Sequence, residues 1–316
     1  MLHHLGYLAL RVGVTISLAA GLLAAGLIAA PPVTLAAPEA TITVQSAADD
    51  GTAVATNCPG AGCRLRDAIA IAASGDTLIF AGDYTINLVS SELAIKQNLT
   101  IDGTGHTIII NGPGASCAPC FRVFNIAVGS TVTLNALTIA NGNCDNCHGG
   151  GVYNAGTLIA TADTFSSNAA DFGGGVFNAG TLNVTGSTIS GNRAGTSPTS
   201  GGGGGILSQG TLTLVGSTLS NNVGDNGISY GSGGGLQVEN GTVTLANVTI
   251  ANNSARGAGD DGGGGVMIYG GTVTIINSTI ARNTTTSSTG GRSKHLPVRR
   301  NGICDAEKHD CSKCGW

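Results

Sequence analysis

Gly173-Gly-Gly-Val-Phe-Asn-Ala-Gly-Thr-Leu-Asn-Val-Thr-Gly-Ser-Thr-Ile-Ser-Gly-Asn192 reads as one unit of a repeat. A Gly triplet leads, then an aliphatic residue and Gly-Thr-aliphatic-x-aliphatic, and Thr-apolar with a final Asn closes it. The same order recurs with triplets at Gly149 to Gly151, Gly173 to Gly175, Gly203 to Gly205, Gly233 to Gly235 and Gly263 to Gly265, spaced by 24, 30, 30 and 30 residues. The closing residues are Asn168, Asn192, Asn222, Asn253 and Asn283. A period of this size marks a solenoid.

Within each unit the apolar residues are two apart, as in Leu182 and Val184, Leu212 and Leu214, Val243 and Leu245, and Val273 and Ile275. That is strand spacing. Thr residues alternate with them, and a β-branched side chain suits an exposed pleated surface. Strands this short cannot enclose a core alone, so successive coils must stack and share one. The pattern predicts an all-β right-handed parallel β-helix. The 52 Gly residues carry a large backbone entropy cost, which a continuous aliphatic stack offsets at roughly 1.5–3 kcal/mol per buried Val, Leu or Ile. The triplets are expected at corners requiring positive φ, and the five Asn residues are expected to form a side-chain ladder at another corner.

Length varies in one place. Between the closing Asn and the next triplet lie 7 residues after Asn141, then 4, 10, 10 and 9. Insertions therefore emerge at one edge of the solenoid, the usual position of a binding surface. Asp171, Asp225, Asp260 and Asp261 fall in these segments, where solvated loop charge and Ca²⁺ ligation are the two readings.

Residues 1–36 read as a signal peptide: His3, His4 and Arg11 precede an uncharged run from Val12 to Ala30, and small residues follow. An extracellular or cell-surface location follows, with membrane contact only through that segment. The formal charge of −4 divides unevenly, since residues 287–316 hold 6 basic and 3 acidic side chains while the body is acidic. Nucleic acid is therefore not an expected partner. Residues 37–101 read as a cap and first coils. The spacing of Leu65, Ala68, Ile69 and Ala72 predicts a helix from Leu65 to Ala73, covering a strand stack whose open end invites aggregation. Residues 102–286 are the repeats.

Cys63-Arg-Leu-Arg-Asp-Ala68 resembles the CSLREA motif, with Arg64 in place of Ser and Asp67 in place of Glu. The repeats, with Gly-Gly-Gly-Val and Phe165-Ser-Ser-Asn168, are similar to the GGAI and FxxN motifs of chlamydial polymorphic outer membrane protein repeats. Later coils carry Ile189, Leu219, Ile250 and Ile280 where that motif has Phe. The resemblance implies an extracellular β-helix used at the cell surface or outer membrane, often adhesin-like; glycan, matrix or another cell surface is the expected ligand of such a scaffold.

Nine Cys residues in an exported chain point to disulfides. Cys58 and Cys63 bracket a short loop. Cys117 with Cys120 and Cys144 with Cys147 form two Cys-x-x-Cys motifs 27 residues apart, close to one coil. Disulfides within or across these motifs and a four-thiolate zinc site are the readings considered. The tail, residues 287–316, is basic and holds Cys304, Cys311 and Cys314. It reads either as a truncated, disordered end or as a small appendage with zinc on these Cys residues and His309.

Catalysis on a β-helix wall needs clustered ionisable groups. The strands from Gly173 to Asn222 read as free of them, and Asp163, Glu239 and Arg282 stand isolated. His106 and His148 have no nucleophilic partner in the sequence. No catalytic residue and no required cofactor are assigned. A non-catalytic binding scaffold is the leading expectation, and a β-helix polysaccharide lyase or glycoside hydrolase is the alternative.

Overall fold

The structure is a computed structural model that describes residues 39–196, 201–225, 233–257, 263–287 and 302–305. It is a parallel β-helix, and the compact unit that contains it begins at Glu39. The expected export signal and most of the tail lie outside the described residues. From Thr131 onward each coil passes through four faces in turn, and the earlier coils lack the third. The first face is a ten-stranded sheet from Thr41–Val44 to Gly302–Asp305, the second has eight strands from Tyr84–Asn87 to Thr279–Ala281, the third has six from Asn143–His148 to Thr284–Ser287, and the fourth has seven from Leu93–Ile95 to Val266–Ile268.

Register repeats faithfully. Thr131, Thr157, Thr181 and Thr211 stand in one column of the first face, while Leu158, Leu182 and Leu212 stack beside them at 0 % exposure. The inward residues of all coils join one core cluster, from Val44 to Ile275. The last strand of the first face departs from the rest: Gly302–Asp305 runs antiparallel to Thr272–Ile276. The sequence showed no strand alternation there, because this strand is held by a sheet edge that already exists and not by its own pattern.

The segments after each closing Asn are not loops from their first residue. Ala169–Phe172, Arg193–Ala194, Val223–Asp225 and Ser254–Gly257 are strands of the third face. Asp171 and Asp225 therefore sit on strands, and Arg193 corrects the reading that the strands between Gly173 and Asn222 hold no ionisable residue. Asp260 and Asp261 lie outside the described residues.

The closing Asn residues do form a ladder. Nδ2 of Asn168, Asn192, Asn222 and Asn253 donates to Oδ1 of the next Asn at 3.0, 3.0, 2.9 and 3.0 Å. Each also donates to a carbonyl of the preceding coil, such as Phe165 for Asn192 at 2.9 Å. A second, shorter ladder runs Asn154, Asn178 and Ser208, with bonds of 2.8 and 3.1 Å. The Gly triplets serve two purposes. The first residue takes positive φ in three coils, as Gly203 does at +65°, whereas a Cβ on the second would strike backbone: on Gly204 it would lie 2.4 Å from the Val223 carbonyl and 2.6 Å from Gly234 O. The third rests on the Asn ladder, since a Cβ on Gly205 would meet the Asn222 amide at 3.1 Å.

At the start of the stack, helix α1 (Leu65–Ile71) covers the first coils as the apolar spacing predicts. The residues resembling CSLREA hold it. Arg64 Nε and Nη2 grip Asp67 at 2.7 and 2.9 Å, and Arg64 also pairs with Asp50. Arg66 grips Asp49 at 2.7 and 3.0 Å. Asp67 is fully buried, and the Arg64 guanidinium together with the amide of Val54 holds its carboxyl far below the usual carboxylate range against the opposing effect of burial. Cys58 is joined to Cys63, Cys117 to Cys120 and Cys144 to Cys147. Each bridge is thus internal to its motif.

Candidate ligand-binding surface

The outward column of the fourth face differs from every other wall. Register aligns Ala94, Asn125, Tyr153, Phe177, Leu207, Gln237 and Met267. Thr, Ser and Asn dominate the outward positions elsewhere, but here the middle residues are bulky. Phe177, Leu207 and Gln237 are 4, 0 and 3 % exposed, yet Phe177 and Leu207 lie outside the core cluster. Their cover comes from outside the coil.

Over the lower half the described end of the segment after Asn192 contributes to that cover. Gly202 lies against the Gln237 amide, and Gln237 Oε1 accepts the Gly233 amide at 3.1 Å. The segment after Asn168 has only four residues, all on the strand Ala169–Phe172. It projects no loop. Tyr153 is consequently half-buried and His148 is exposed, so the column is open at Asn125 and Tyr153, while Phe177, Leu207 and Gln237 below them are buried.

The open part is built from rings and charges. Tyr153 stacks on Phe177 with centroids 5.5 Å apart at 11°, and His148 stacks on the same ring at 4.5 Å and 20°. Phe172 meets His148 edge-on at 5.2 Å. Arg122 lies over the Tyr153 ring with Cζ 5.1 Å from its centroid, a cation–π contact. Its Nε lies 2.8 Å from Glu92 Oε2, and Asn125 Nδ2 donates to Glu92 Oε1 at 2.6 Å.

The two Cys-x-x-Cys loops set two of these residues. Cys120 precedes Arg122 by two positions, Cys147 precedes His148 directly, and Cys120 Sγ lies 4.0 Å from Asp145 Oδ2 of the other loop. Burial, then the Arg122 charge, push His148 below the ordinary imidazole range, while Asp171 and Glu239 act in the opposite direction. The structure thus brings one His, one Arg and two carboxylates into electrostatic reach from four different coils. Sequence separation concealed this.

Of the residues predicted from sequence, Asp171 is buried and accepts the Thr196 hydroxyl at 2.6 Å, which ties down the start of the long segment. Asp225 lies between Arg193 at 3.4 Å and Arg256 at 3.9 Å. Asn168, Asn192, Asn222, Asn253 and Asn283 are ladder residues. Arg122, Tyr153, Phe177 and Gln237 were missed, although a signal exists: the second residue after each triplet is bulky or amphipathic where the pattern calls for small polar residues. Among the described residues no three ligating side chains converge as a metal site.

Several polar groups here have no hydrogen-bond partner among the described residues: the Arg122 terminal nitrogens, the Tyr153 hydroxyl, the His148 ring nitrogens and Asn125 Oδ1. Mixed donors and acceptors beside stacked rings suit a ligand that offers hydroxyls and an apolar sugar face. Comparison with protein-family models, with curated proteins and with solved structures finds no match.

Proposed function

We propose that this chain is an exported, adhesin-like β-helix scaffold that binds glycan at the cell surface or in the surrounding matrix. The observation that carries the reading is the accessible step of Arg122, Tyr153 and His148, stacked on the buried Phe177 ring, on a solenoid whose other outward columns are mainly Thr, Ser and Asn. A rigid β-helix wall presents these groups without ordering cost, which favours binding. The implied kinship with CSLREA-type and polymorphic outer membrane protein repeats agrees with a surface role. The test is a glycan array probed with the full chain and with Tyr153→Ala and Arg122→Ala. Binding that falls at least tenfold in both variants, at unchanged circular dichroism, supports the reading; no glycan bound, or variants equal to the parent, rejects it.

A second reading is a carbohydrate-active enzyme, favoured by one observation: burial and the Arg122 charge hold the His148 imidazole below its ordinary range while Asp171 and Glu239 act in the opposite direction. Neither carboxylate is hydrogen-bonded to it, and Asp171 is engaged by Thr196. Release of reducing ends or unsaturated products from a polysaccharide panel, abolished in His148→Ala, would establish this reading over the first.

A further inference from the structure

We propose that the two Cys-x-x-Cys loops are a thiol–disulfide exchange site whose substrate is a dithiol, and that one exchange re-pairs them as a Cys120–Cys144 staple between adjacent coils. The loops are zipped together where the third face begins. Asn143–His148 is the edge strand of that face, and the segment leading to Phe121 lies along it. Gly114 donates its amide to Asn141 O at 2.8 Å, Asn143 donates its amide to Phe121 O at 3.1 Å, and Asn143 Nδ2 donates to Gly114 O at 3.1 Å. Phe121 and Asn143 form an antiparallel bridge. In antiparallel pairing the residue before one partner stands opposite the residue after the other, which puts Cys120 opposite Cys144. The sulfur agrees with this placement, because Cys120 Sγ lies 4.0 Å from Asp145 Oδ2, one residue past Cys144.

Access gives the exchange a direction. Cys117 and Cys120 are both half-buried, within reach of a small dithiol, whereas Cys144 is 4 % exposed and Cys63 is 0 % exposed. A dithiol therefore opens Cys117–Cys120 first: it passes two electrons to that bond, becomes a disulfide itself, and leaves two thiols on the loop. The Cys120 thiolate, already beside the second loop, then attacks Cys144 Sγ. Cys120–Cys144 forms as Cys144–Cys147 breaks, the electron pair leaves on Cys147, and that thiolate takes up the proton that Cys120 gave up. No second reductant is consumed. The product is bonded between coils and carries Cys117 and Cys147 as free thiols, the latter directly before His148.

Peptide mapping tests this, because trypsin cuts after Arg122 and separates the loops. A Cys120–Cys144 bond joins the peptides 97–122 and 123–193, which bonds within each loop leave apart. The folded full chain is treated with rising dithiothreitol until Cys117 becomes reactive, trapped with N-ethylmaleimide, digested without reductant and mapped by mass spectrometry. The expected result is a joined peptide pair with Cys117 and Cys147 alkylated, present before both loops are fully reduced. Alkylated Cys117 with no joined pair at any dithiol concentration overturns the proposal. Paired variants check the register, with folding verified by circular dichroism. In Cys117→Ser/Cys147→Ser, glutathione disulfide should link Cys120 to Cys144 roughly tenfold or more faster than it links Cys117 to Cys144 in Cys120→Ser/Cys147→Ser. Equal rates in the two variants also overturn it, since the fold would then set no pairing.

Discussion

Asn192 donates its side-chain nitrogen to Asn222 Oδ1 across 3.0 Å, with both residues at 0 % exposure. Its backbone amide donates to the same Oδ1 at 3.0 Å, and its other side-chain bonds run upward: Nδ2 to Phe165 O at 2.9 Å, and Oδ1 from the Asn168 amide and side chain at 3.0 Å each. Asn192 thus ties three coils together at one corner. Asn192→Ala strands a carbonyl, an amide and a carboxamide hydrogen in a dry corner, at roughly 1–3 kcal/mol each. The expected loss is about 3 kcal/mol or more in urea denaturation. Asn192→Asp should be as harmful, because a carboxylate oxygen would then face Phe165 O. Asn283→Ala, at a half-buried rung, should cost less; equal costs at both rungs would contradict the ladder account.

Asp163 occupies a corner column where Ser187, Ser217 and Ser278 stand in other coils. Its Oδ1 accepts the Leu137 amide at 2.8 Å, as Ser187 Oγ accepts the Asp163 amide at 3.0 Å. The larger side chain leaves Oδ2 buried without a partner, and burial pushes the carboxyl up to about 7. A folded value above the unfolded one of roughly 3.9 means that the stability is complete below about pH 4 and is lost as pH rises through about 7, by on the order of 4 kcal/mol. Asp67 acts in the opposite sense: its depressed folded value contributes stability that disappears as pH falls below about 4. The melting temperature should therefore peak in mildly acidic buffer and decline toward pH 8. Asp163→Ser should abolish the decline and be the more stable protein at pH 8. A variant that kept the parent's slope would place the titrating group elsewhere.

The left-handed corner before that column holds Ala136, Ala162, Gly186, Gly216, Asn247 and Asn277. The four non-Gly residues have φ between 47° and 56°, and both Gly residues have φ of 58°. A Cβ on Gly186 would meet nothing within 4 Å. Gly186→Asn should therefore be neutral or stabilising by up to about 1 kcal/mol, since Asn tolerates this conformation and restricts the unfolded chain. Gly204→Ala should instead prevent native folding, because backbone of two neighbouring strands fills the space. Similar melting temperatures for the two variants would refute the distinction between freedom and room.

These contrasts show what the sequence could convey. Strand order, core and Asn ladder were legible because each repeats with the coil period, so one unit explains the next. The third face was not, since its strands carry no alternation: Arg193–Ala194 is two residues, held by its neighbours. The candidate surface was legible least. Arg122, His148, Tyr153 and Phe177 approach only through stacking of coils about 24 to 30 residues apart. The exposure of His148 and Tyr153 goes with the short segment after Asn168, and a loop that is not there leaves no residue to notice.

The disulfide loops provide the last prediction, because they adjoin residues of the candidate surface and not the core cluster. Cys117 to Cys120 and Cys144 to Cys147 each span a separation of three. Closing so short a loop constrains the unfolded chain by only about 2 kcal/mol each in the chain-entropy view. Reduction should therefore lower the melting temperature by a few degrees and leave the Asn ladder amides protected from hydrogen exchange. Arg122 and His148 should move, since each follows a released loop within two residues. Glycan affinity should fall at least tenfold, and His148, freed from Phe177 and Arg122, should titrate closer to an ordinary imidazole by NMR. The His148 readout needs no ligand. Full reduction, verified by thiol titration, that leaves both affinity and His148 unchanged would mean that the coil alone positions these residues.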